Sequence, residues 1–423
     1  MRRTTWMRST WCTAAVALMA LAACGDDDGD LGTEPDPTDP PGPTEPPPEP
    51  PEPPPPSGGL TLTAVGGGNN VPERFTSDLW VHGSYAYSGT WGGFFRDGSP
   101  GNALKVWALD GSGAPSLVDS IVLEDVATVS DVEVSSDGTV LMLSTERGLH
   151  EGLYLYGLDD PVSPALLDSV HVPNGLHTAT FGEIDGRRYA FTAKNPPEPA
   201  LEIYDVTEPG SITPAATVPV PPTYGIHDTY VRDGLAFVFA WDAGVIIYDV
   251  GNGRRGGSPE SPVEVSRLVT SDNGVGSPSV HNGWWFHNPA TGEARYLFIG
   301  QEGPGQVGGQ ASGDIHVVDL SDLEHPREVA SFRLEGAGAH NFWMDEAAQI
   351  LYAAYYNGGV IALDVSGDLS GDLSGRLLDQ VRPGGTGNTY TWSVMLANGF
   401  LYASDMLTGL WQIAVSRSAS RTE

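Results

Sequence analysis

The chain has 423 residues, a formal net charge of −33 and 40% hydrophobic residues. An acidic surface of that size repels phosphate backbones, so we expect no nucleic-acid binding. The length allows a large core, and 54 glycines and 35 prolines are typical of a β protein with many turns. Because the only cysteines are Cys12 and Cys24, we expect the folded part to be held by packing without disulfides.

The first 23 residues have the layout of a secretory signal peptide. Arginines precede an apolar run from Thr13 to Ala23, which is shorter than the roughly 18 residues of a membrane-spanning helix. The run ends in Leu21-Ala22-Ala23-Cys24, which resembles the bacterial lipobox. The resemblance implies that Cys24 is diacylated on its sulfur and becomes the first residue of the mature protein. The alternative is an ordinary signal peptide that contains a cysteine.

Residues 24–59 are a predicted tether. They consist mainly of Asp, Glu, Pro, Thr and Gly, a composition that cannot form a core. The proline runs favour polyproline II, which at about 3.1 Å per residue reaches on the order of 100 Å. Gly25, rather than Asp, follows Cys24, so the commonest inner-membrane retention signal is absent. We therefore expect an exported head that is anchored by lipid to the outer membrane or cell surface.

Residues 60–416 contain seven repeats, and residues 417–423 form a short tail. Each repeat contains short apolar runs, such as Leu235–Phe239 and Val245–Val250, separated by Gly-rich turns. Four antiparallel strands per repeat are typical of a β-propeller blade. One small polar residue opens the first strand of each repeat, and these residues recur every 47 to 59 positions: Asp78, Asp131, Thr178, Asp228, Asn282, Asn341 and Ser393.

The ends of the repeat region complement each other. The last repeat ends at Val415 without a fourth strand, and an additional strand at Leu60–Val65 precedes the first repeat. Pairing these two segments would close the ring of strands and leave no exposed edge. The sequence therefore predicts an all-β, seven-bladed propeller of four-stranded antiparallel blades, closed by its N-terminal strand.

The third strands share a further pattern, in which an apolar run ends in Asp and another apolar residue. This pattern resembles the LVIVD repeat of bacterial and archaeal surface proteins across roughly residues 60–415. The resemblance implies a β-propeller on a cell surface and no particular chemistry. The first repeat departs from it at Trp107–Gly111 and the second at Gly157–Asp159. The segments that match it are Leu201–Pro209, Ile246–Val250, Ile315–Asp322 and Val360–Ser366.

Four consecutive repeats place a histidine directly before the aligned polar residue. The first strand of a blade lines the central channel, so the four imidazoles are expected to form an arc at its mouth. Imidazole is a ligand for iron, copper and zinc, and four axial histidines hold iron in carotenoid oxygenases, which this chain resembles in that arrangement only. The alternative is a structural role in bonding neighbouring loops, as in the His–Asp network of WD-repeat propellers. The four residues are His177, His227, His281 and His340.

Loops on the same face combine aromatic, amide and carboxylate side chains, which suit peptide or sugar recognition. For Trp241, packing between blades is the alternative. The Ser-Gly-Asp-Leu repeats between Ser366 and Leu377 match no calcium loop and are expected to form a solvated connector. The candidate ligand-binding residues are Trp241, Asp242, Glu302, Tyr355, Tyr356, Asn357 and Asp405.

These features predict a lipid-anchored surface module with a monomeric head that binds a protein, peptide or glycan through its top face. The alternatives are a metal-dependent enzyme that uses the four-histidine arc and a purely structural envelope protein. The chain has no nucleophile elbow, P-loop, dinucleotide fingerprint or zincin motif, so the common hydrolases and nucleotide enzymes are not expected.

Overall fold

The computed structural model describes residues 59–68, 74–92, 100–111, 113–221 and 224–417. The predictions for the signal peptide, the lipidated Cys24, the tether up to residue 58 and the last six residues lie outside this part of the chain. Within it, no helix is long and apolar enough to cross a membrane. The described residues form an all-β fold, with one short 3₁₀ turn at Ser374–Arg376.

The N-terminal half of the fold consists of hairpin-connected antiparallel strands. Strands β2–β5 and β6–β9 are two four-stranded groups that belong to one larger sheet, because Thr90 of β3 pairs with Val129 of β6. The strands are β1 (Leu60–Gly67), β2 (Phe75–His82), β3 (Tyr85–Trp91), β4 (Ala103–Ala108), β5 (Ser116–Val122), β6 (Val126–Val134), β7 (Val140–Gly148), β8 (Gly152–Gly157) and β9 (Ala165–His171).

The next two sheets are regular four-stranded antiparallel sheets with the orders β10-β11-β12-β13 and β14-β15-β16-β17. Their strands are β10 (Leu176–Ile184), β11 (Arg187–Lys194), β12 (Ala200–Asp205), β13 (Thr213–Pro219), β14 (Asp228–Arg232), β15 (Leu235–Phe239), β16 (Val245–Asp249) and β17 (Val263–Leu268).

The C-terminal half contains three sheets, with the orders β18-β19-β20-β21-β25, β22-β23-β24-β26 and β1-β29-β28-β27. The strands are β18 (Val280–Phe286), β19 (Tyr296–Gln301), β20 (Ile315–Asp319), β21 (Arg327–Phe332), β22 (Phe342–Asp345), β23 (Ile350–Ala354), β24 (Val360–Asp364), β25 (Gly371–Asp372), β26 (Leu377–Val381), β27 (Thr391–Ala397), β28 (Phe400–Asp405) and β29 (Gly409–Arg417).

The hydrophobic core lies between neighbouring sheets, and β15 shows why its middle strands are apolar at every position. Ala236 and Val238 pack against β11 and β12 of the preceding sheet. Leu235, Phe237 and Phe239 point the other way and pack against β18 and β19 of the following sheet. Because successive side chains of a strand alternate between its two faces, a strand covered on both faces needs a continuous apolar run. The outermost strands have one exposed face and alternate between exposed and half-buried residues, as in β5.

The predicted pairing of the N-terminal strand with the last repeat is present. Strand β1 runs antiparallel to β29, from the Leu60↔Arg417 pair to the Gly67↔Trp411 pair. The Leu62 backbone N–H also donates to the side chain of Asp379 in β26, at 2.6 Å. The N-terminal segment is therefore attached to two neighbouring sheets.

The first strands of the sheets pack side by side. The contacting pairs are β2 with β6, β6 with β10, β10 with β14, β14 with β18, β18 with β22, β22 with β27, and β27 with β2. This arrangement is propeller-like, and it brings equivalent positions of different sheets to one place.

The Ser-Gly-Asp-Leu connector differs from the expectation that it is solvated. Leu369, Leu373 and Leu377 are buried in the core between two sheets, and Gly371 and Asp372 extend the sheet by pairing with β21. A leucine at every fourth position fixes the segment to the core, while its serines and aspartates form the turns.

Candidate functional site

Four histidines converge because each occupies the same register position at the start of a first strand. His177 and His281 are the second residues of β10 and β18, and His227 directly precedes β14. Consecutive ring centroids are 4.5 Å apart for His177 and His227, 5.1 Å for His227 and His281, and 4.2 Å for His281 and His340. The structure thus brings all four imidazoles into one cluster.

Glu302 lies within the same cluster. It follows the last residue of β19, and its carboxylate oxygens are 3.8 Å from His227 Nδ1, 3.9 Å from His281 Nε2 and 3.9 Å from His340 Nε2. The hydroxyl of Tyr356 donates a hydrogen bond to Glu302 Oε1. We call these residues, His177, His227, His281, His340 and Glu302, the histidine cluster.

The cluster offers two overlapping sets of metal ligands. One set is His177, His227 and His281, and the other is His281, His340 and Glu302. Within each set the ligand atoms lie within 4.8 Å of one another. Imidazole suits zinc, copper and iron, and two histidines with one carboxylate are a common ligand set of non-haem iron sites.

Two of the histidines have hydrogen-bond partners that orient the ring. His340 Nδ1 lies 2.6 Å from the backbone oxygen of Trp392, so this nitrogen carries the proton. His177 Nδ1 lies 2.7 Å from Glu146 Oε1, which also accepts a 2.9 Å bond from the side-chain amide of Asn195. Such outer partners fix the tautomer of a metal-binding histidine and leave Nε2 as the ligand atom.

The other two histidines have buried ring nitrogens without a partner. Among the described residues, His227 Nδ1 and His281 Nδ1 make no hydrogen bond. A buried polar atom of this kind costs about 1–3 kcal/mol unless something satisfies it. Trp241 stacks on His227 with ring centroids 4.2 Å apart, so the imidazole is held in place even though its nitrogen is unpaired. This combination indicates a ligand.

Burial controls the charge of the cluster. It lowers the pKa of His227 and His281 well below the usual range, and that of His340 to about 3. Burial raises the pKa of Glu302 to about 7, against the lowering effect of the Tyr356 hydrogen bond. Burial also opposes the charge of His177, but the Glu146 carboxylate outweighs it and raises that pKa. Three neutral imidazoles at neutral pH are the form that binds metals.

The histidine cluster lines a cavity of about 970 Å³, which we call the upper pocket. Its size is at the upper end of pockets that hold drug-sized ligands. Glu151 also lines the upper pocket, and its Oε2 is buried without a hydrogen-bond partner among the described residues. Six aromatic side chains also line it: Trp91, Tyr224, Trp241, Tyr356, Tyr390 and Trp392.

The candidate ligand-binding residues fall into two groups. Trp241, Glu302 and Tyr356 line the upper pocket. Asp242 lies beside them, where its carboxylate accepts a 3.1 Å bond from the backbone N–H of Tyr224. The other three residues do not line the pocket.

Those three residues hold the loops in shape. Tyr355 is fully buried, and its hydroxyl donates to the Gly313 carbonyl at 3.0 Å. The amide of Asn357 bridges two loops by donating to Gly336 and accepting from Ala311. Asp405 is also buried. Its carboxylate accepts the backbone N–H groups of Leu407 at 3.1 Å and Thr408 at 2.9 Å in the turn that follows it, and that of Tyr390, just before β27, at 2.6 Å.

Several pocket residues were not among the candidates from sequence. Trp392 occupies the register position that the four histidines hold in other sheets, so the repeat alignment could have identified it. Tyr390 and Glu151 had no such signal, because they lie in loops of irregular length. Glu146 could be assigned to the site only from its contact with His177 in the structure, because nothing in the sequence pairs the two residues.

The comparisons with known proteins concern the fold. No family model matches the sequence, and no curated protein sequence matches it. A crystal structure of Sqt1 from Chaetomium thermophilum is similar, with 12% identity and a TM-score of 0.54 over 82% of this chain and 83% of that chain. A second Sqt1 structure from the same organism has 12% identity and a TM-score of 0.53 over 83% and 86% of the two chains. At this identity the likeness shows the fold alone.

Proposed function

We propose that this protein is a metal-dependent enzyme whose active centre is the histidine cluster at the wall of the upper pocket. The observation that carries the proposal is the convergence of four imidazoles and Glu302, with two buried ring nitrogens that lack a partner. A structural network of histidines satisfies its own polar atoms, whereas this one leaves open the atoms that a metal ion would use.

Different residues would bind the metal ion, orient the imidazole rings and exchange protons at such a site. The imidazoles would hold a zinc, iron or copper ion, and the ion would supply Lewis-acid or redox chemistry when bound. Glu146 orients His177, and the Trp392 carbonyl orients His340. Glu302 is poised to hold or release a proton near neutral pH, because burial raises its pKa to about 7. Tyr356 holds the Glu302 carboxylate in position.

The upper pocket favours a substrate that is largely apolar or aromatic. Its wall contains six aromatic rings, and among the described residues that line it the buried polar atoms without a partner belong to His227, His281 and Glu151. A glycan or an extended peptide needs many hydrogen bonds along its length. The pocket instead suits a molecule with one or two polar groups that reach the histidine cluster.

A second candidate is a binding module for a protein or peptide partner. It is favoured by two exposed apolar side chains on segments that line the upper pocket. Tyr224 lines the pocket and is 78% exposed, and Leu149, which is 74% exposed, lies between the pocket residues Arg147 and Glu151. Large exposed apolar groups around a pocket are typical of docking surfaces.

The fold and location that we propose are those expected from the sequence: a ring of seven four-stranded blades with LVIVD-type repeats, closed by β1 and held at the cell surface through Cys24. The cyclic contacts of the first strands and the β1–β29 pairing support the ring. The location rests on the sequence of the first 59 residues alone.

Metal analysis of the purified full-length protein tests the proposed centre. After separate reconstitution with zinc, iron and copper and removal of excess metal, we expect about one ion per chain for the preferred metal. His227→Ala and His281→Ala variants should lose it. His325→Ala is the matched control, because His325 is exposed and pairs only locally with Asp322. Retention of less than about a tenth of an ion per chain with every metal would refute the proposal.

A further inference from the structure

A second cavity of about 230 Å³ is lined by residues of the first strands and by Asn341, which directly precedes β22. Its wall includes the residues three positions after the histidines, such as Tyr230 after His227 and Trp284 after His281. At about 3.3 Å per residue, they lie roughly 10 Å further along the strands. We call this cavity the lower channel.

Four aromatic side chains from four first strands form a continuous arc along the lower channel. The ring centroids of Trp80 and Trp343 are 6.2 Å apart, those of Trp343 and Trp284 are 5.4 Å apart, and those of Trp284 and Tyr230 are 5.5 Å apart. All four side chains are only half-buried. The π faces of such rings attract cations, and indole does so most strongly.

Carboxylates accompany the aromatic arc. Glu133 lies at the same register position of β6 as Trp284 does in β18, and Asp78, Asp131 and Asp228 lie one layer nearer the histidines. Among the described residues that line the lower channel, none is a lysine or arginine. The nearby Arg232 contacts Tyr230 but is paired with Glu346. Burial raises the pKa of all four carboxyl groups, so a cation that enters the channel would favour their ionised forms.

Some polar groups of the lower channel retain free hydrogen-bonding capacity. Glu133 Oε2 accepts a 2.9 Å bond from the Phe181 N–H, and burial raises the pKa of this carboxyl to about 8. Asn282 is 3% exposed and lines the channel, and its Oδ1 has no hydrogen-bond partner among the described residues. A cation in the channel would stabilise the ionised form of Glu133.

We propose that the lower channel binds an organic cation of the alkylammonium class, with the aromatic arc around its apolar substituents and Glu133 opposite its charge. Calcium is a poorer fit, because it takes six to eight oxygen ligands and much of this wall is aromatic. The cavity is smaller than a drug-sized pocket, so it suits a single ammonium head group. The ammonium group can belong to a free small molecule or to a modified lysine side chain. The proposal does not rest on the metal-dependent activity.

Calorimetric titration of the full-length protein with choline tests the proposal, and 3,3-dimethyl-1-butanol serves as the uncharged isostere of choline. We expect saturable binding of choline that is at least about tenfold tighter than that of the isostere, since a desolvated cation–π contact is worth about 2 kcal/mol. Binding should persist in the presence of a metal chelator, which separates this site from the histidine cluster. A trimethyllysine peptide as a third titrant identifies the source: tighter binding than choline assigns the site to a protein segment, and weaker binding assigns it to a free small molecule.

Variants connect the binding to the named residues. Glu133→Gln should weaken choline binding roughly tenfold, and Trp343→Leu should weaken it roughly 3- to 30-fold, whereas Trp343→Phe keeps a π face and much of the affinity. Glu335→Gln is the control, because Glu335 is exposed and outside the channel. Thermal melting of each variant identifies any that fail to fold, and the isostere comparison does not depend on them. Equal binding of choline and its isostere, or unchanged binding in both Glu133→Gln and Trp343→Leu, would overturn the proposal.

Discussion

The hydroxyl of Tyr356 donates its hydrogen bond to Glu302, a carboxyl group surrounded by three imidazoles. The two residues come from loops of adjacent sheets and are both buried. The bond fixes the carboxylate against the histidine cluster, and it is the main interaction that opposes the rise in the pKa of Glu302. Tyr356 is therefore expected to influence the histidine cluster through Glu302, by holding its carboxylate and lowering its pKa.

Replacing Tyr356 with Phe removes this bond and keeps the aromatic packing. We expect the pKa of Glu302 to rise further and the free energy of unfolding to fall by about 1–3 kcal/mol, because a buried acceptor loses its donor. Denaturant unfolding at pH 7 measures the loss. The control is Tyr224→Phe, whose side chain is largely exposed; equal stability of Tyr356→Phe and wild type would show that the bond is unimportant.

Glu146→Gln tests the outer partner of His177. The substitution keeps the size of the side chain but removes the charge that raises the pKa of His177 and orients its ring. Loss of such an outer partner reduces metal affinity by roughly 10- to 100-fold. Competition for the metal with a chromogenic chelator gives the affinity, with Glu335→Gln as the control. An unchanged affinity would mean that His177 is not a ligand.

The three histidines with lowered pKa values are expected to contribute a loss of stability below pH 6.5. Because burial lowers the pKa of His227, His281 and His340, the unfolded chain, with histidine pKa values of about 6.5, binds more protons than the folded chain as the pH falls. Their contribution is complete above pH 6.5 and is lost towards pH 3.

Other buried groups act in the opposite direction. Burial raises the pKa of Glu302, Glu133 and Asp228 to about 7, 8 and 7, so the folded state binds additional protons at these carboxyl groups as the pH falls. The contribution of one histidine is therefore measured as the difference between wild type and a His281→Gln variant, and it amounts to at most about 1.4 kcal/mol per pH unit. Urea unfolding of both metal-free proteins at pH 7, 6 and 5 measures the two slopes. Equal slopes would contradict the burial of a neutral imidazole at His281.

Deletion of residues 60–65 tests the β1–β29 pairing. The deletion removes the buried Leu60 and Leu62 and exposes the edge of β29, so we expect aggregation or a large fall in melting temperature. Deletion of six residues from the proline-rich stretch at 46–56 is the control for length. If the two deletion proteins melt at the same temperature and both stay monomeric, the pairing contributes little.

The sequence identified the parts of the site that follow the repeat. One register position, repeated in four strands, was enough to predict that His177, His227, His281 and His340 meet. The paired strands and the role of residues 60–65 followed from the same alternation of apolar runs and turns. Trp392 could have been added from the same alignment.

The remaining parts depend on loop conformation, which no repeat determines. Tyr355 and Tyr356 are neighbouring tyrosines with different roles. The hydroxyl of Tyr355 holds the Gly313 loop, whereas that of Tyr356 bonds to Glu302. They point in different directions because the chain turns here and Tyr356 adopts a φ of 39°. Asp405 has a side chain that could bind a ligand, but backbone N–H groups of the following turn already bond to its carboxylate. Pairings such as Glu146 with His177 join residues 31 positions apart and become visible only in three dimensions.

The position of β1 has a mechanical consequence. Any tension on the chain before Leu60 reaches the fold through the hydrogen bonds between β1 and β29 and through the bond from Leu62 to Asp379. A pull on the chain before Leu60 therefore loads β1 and β29 together, and neither of these strands contributes a residue to the histidine cluster. Under such a force the two strands can separate while the four histidines keep their positions.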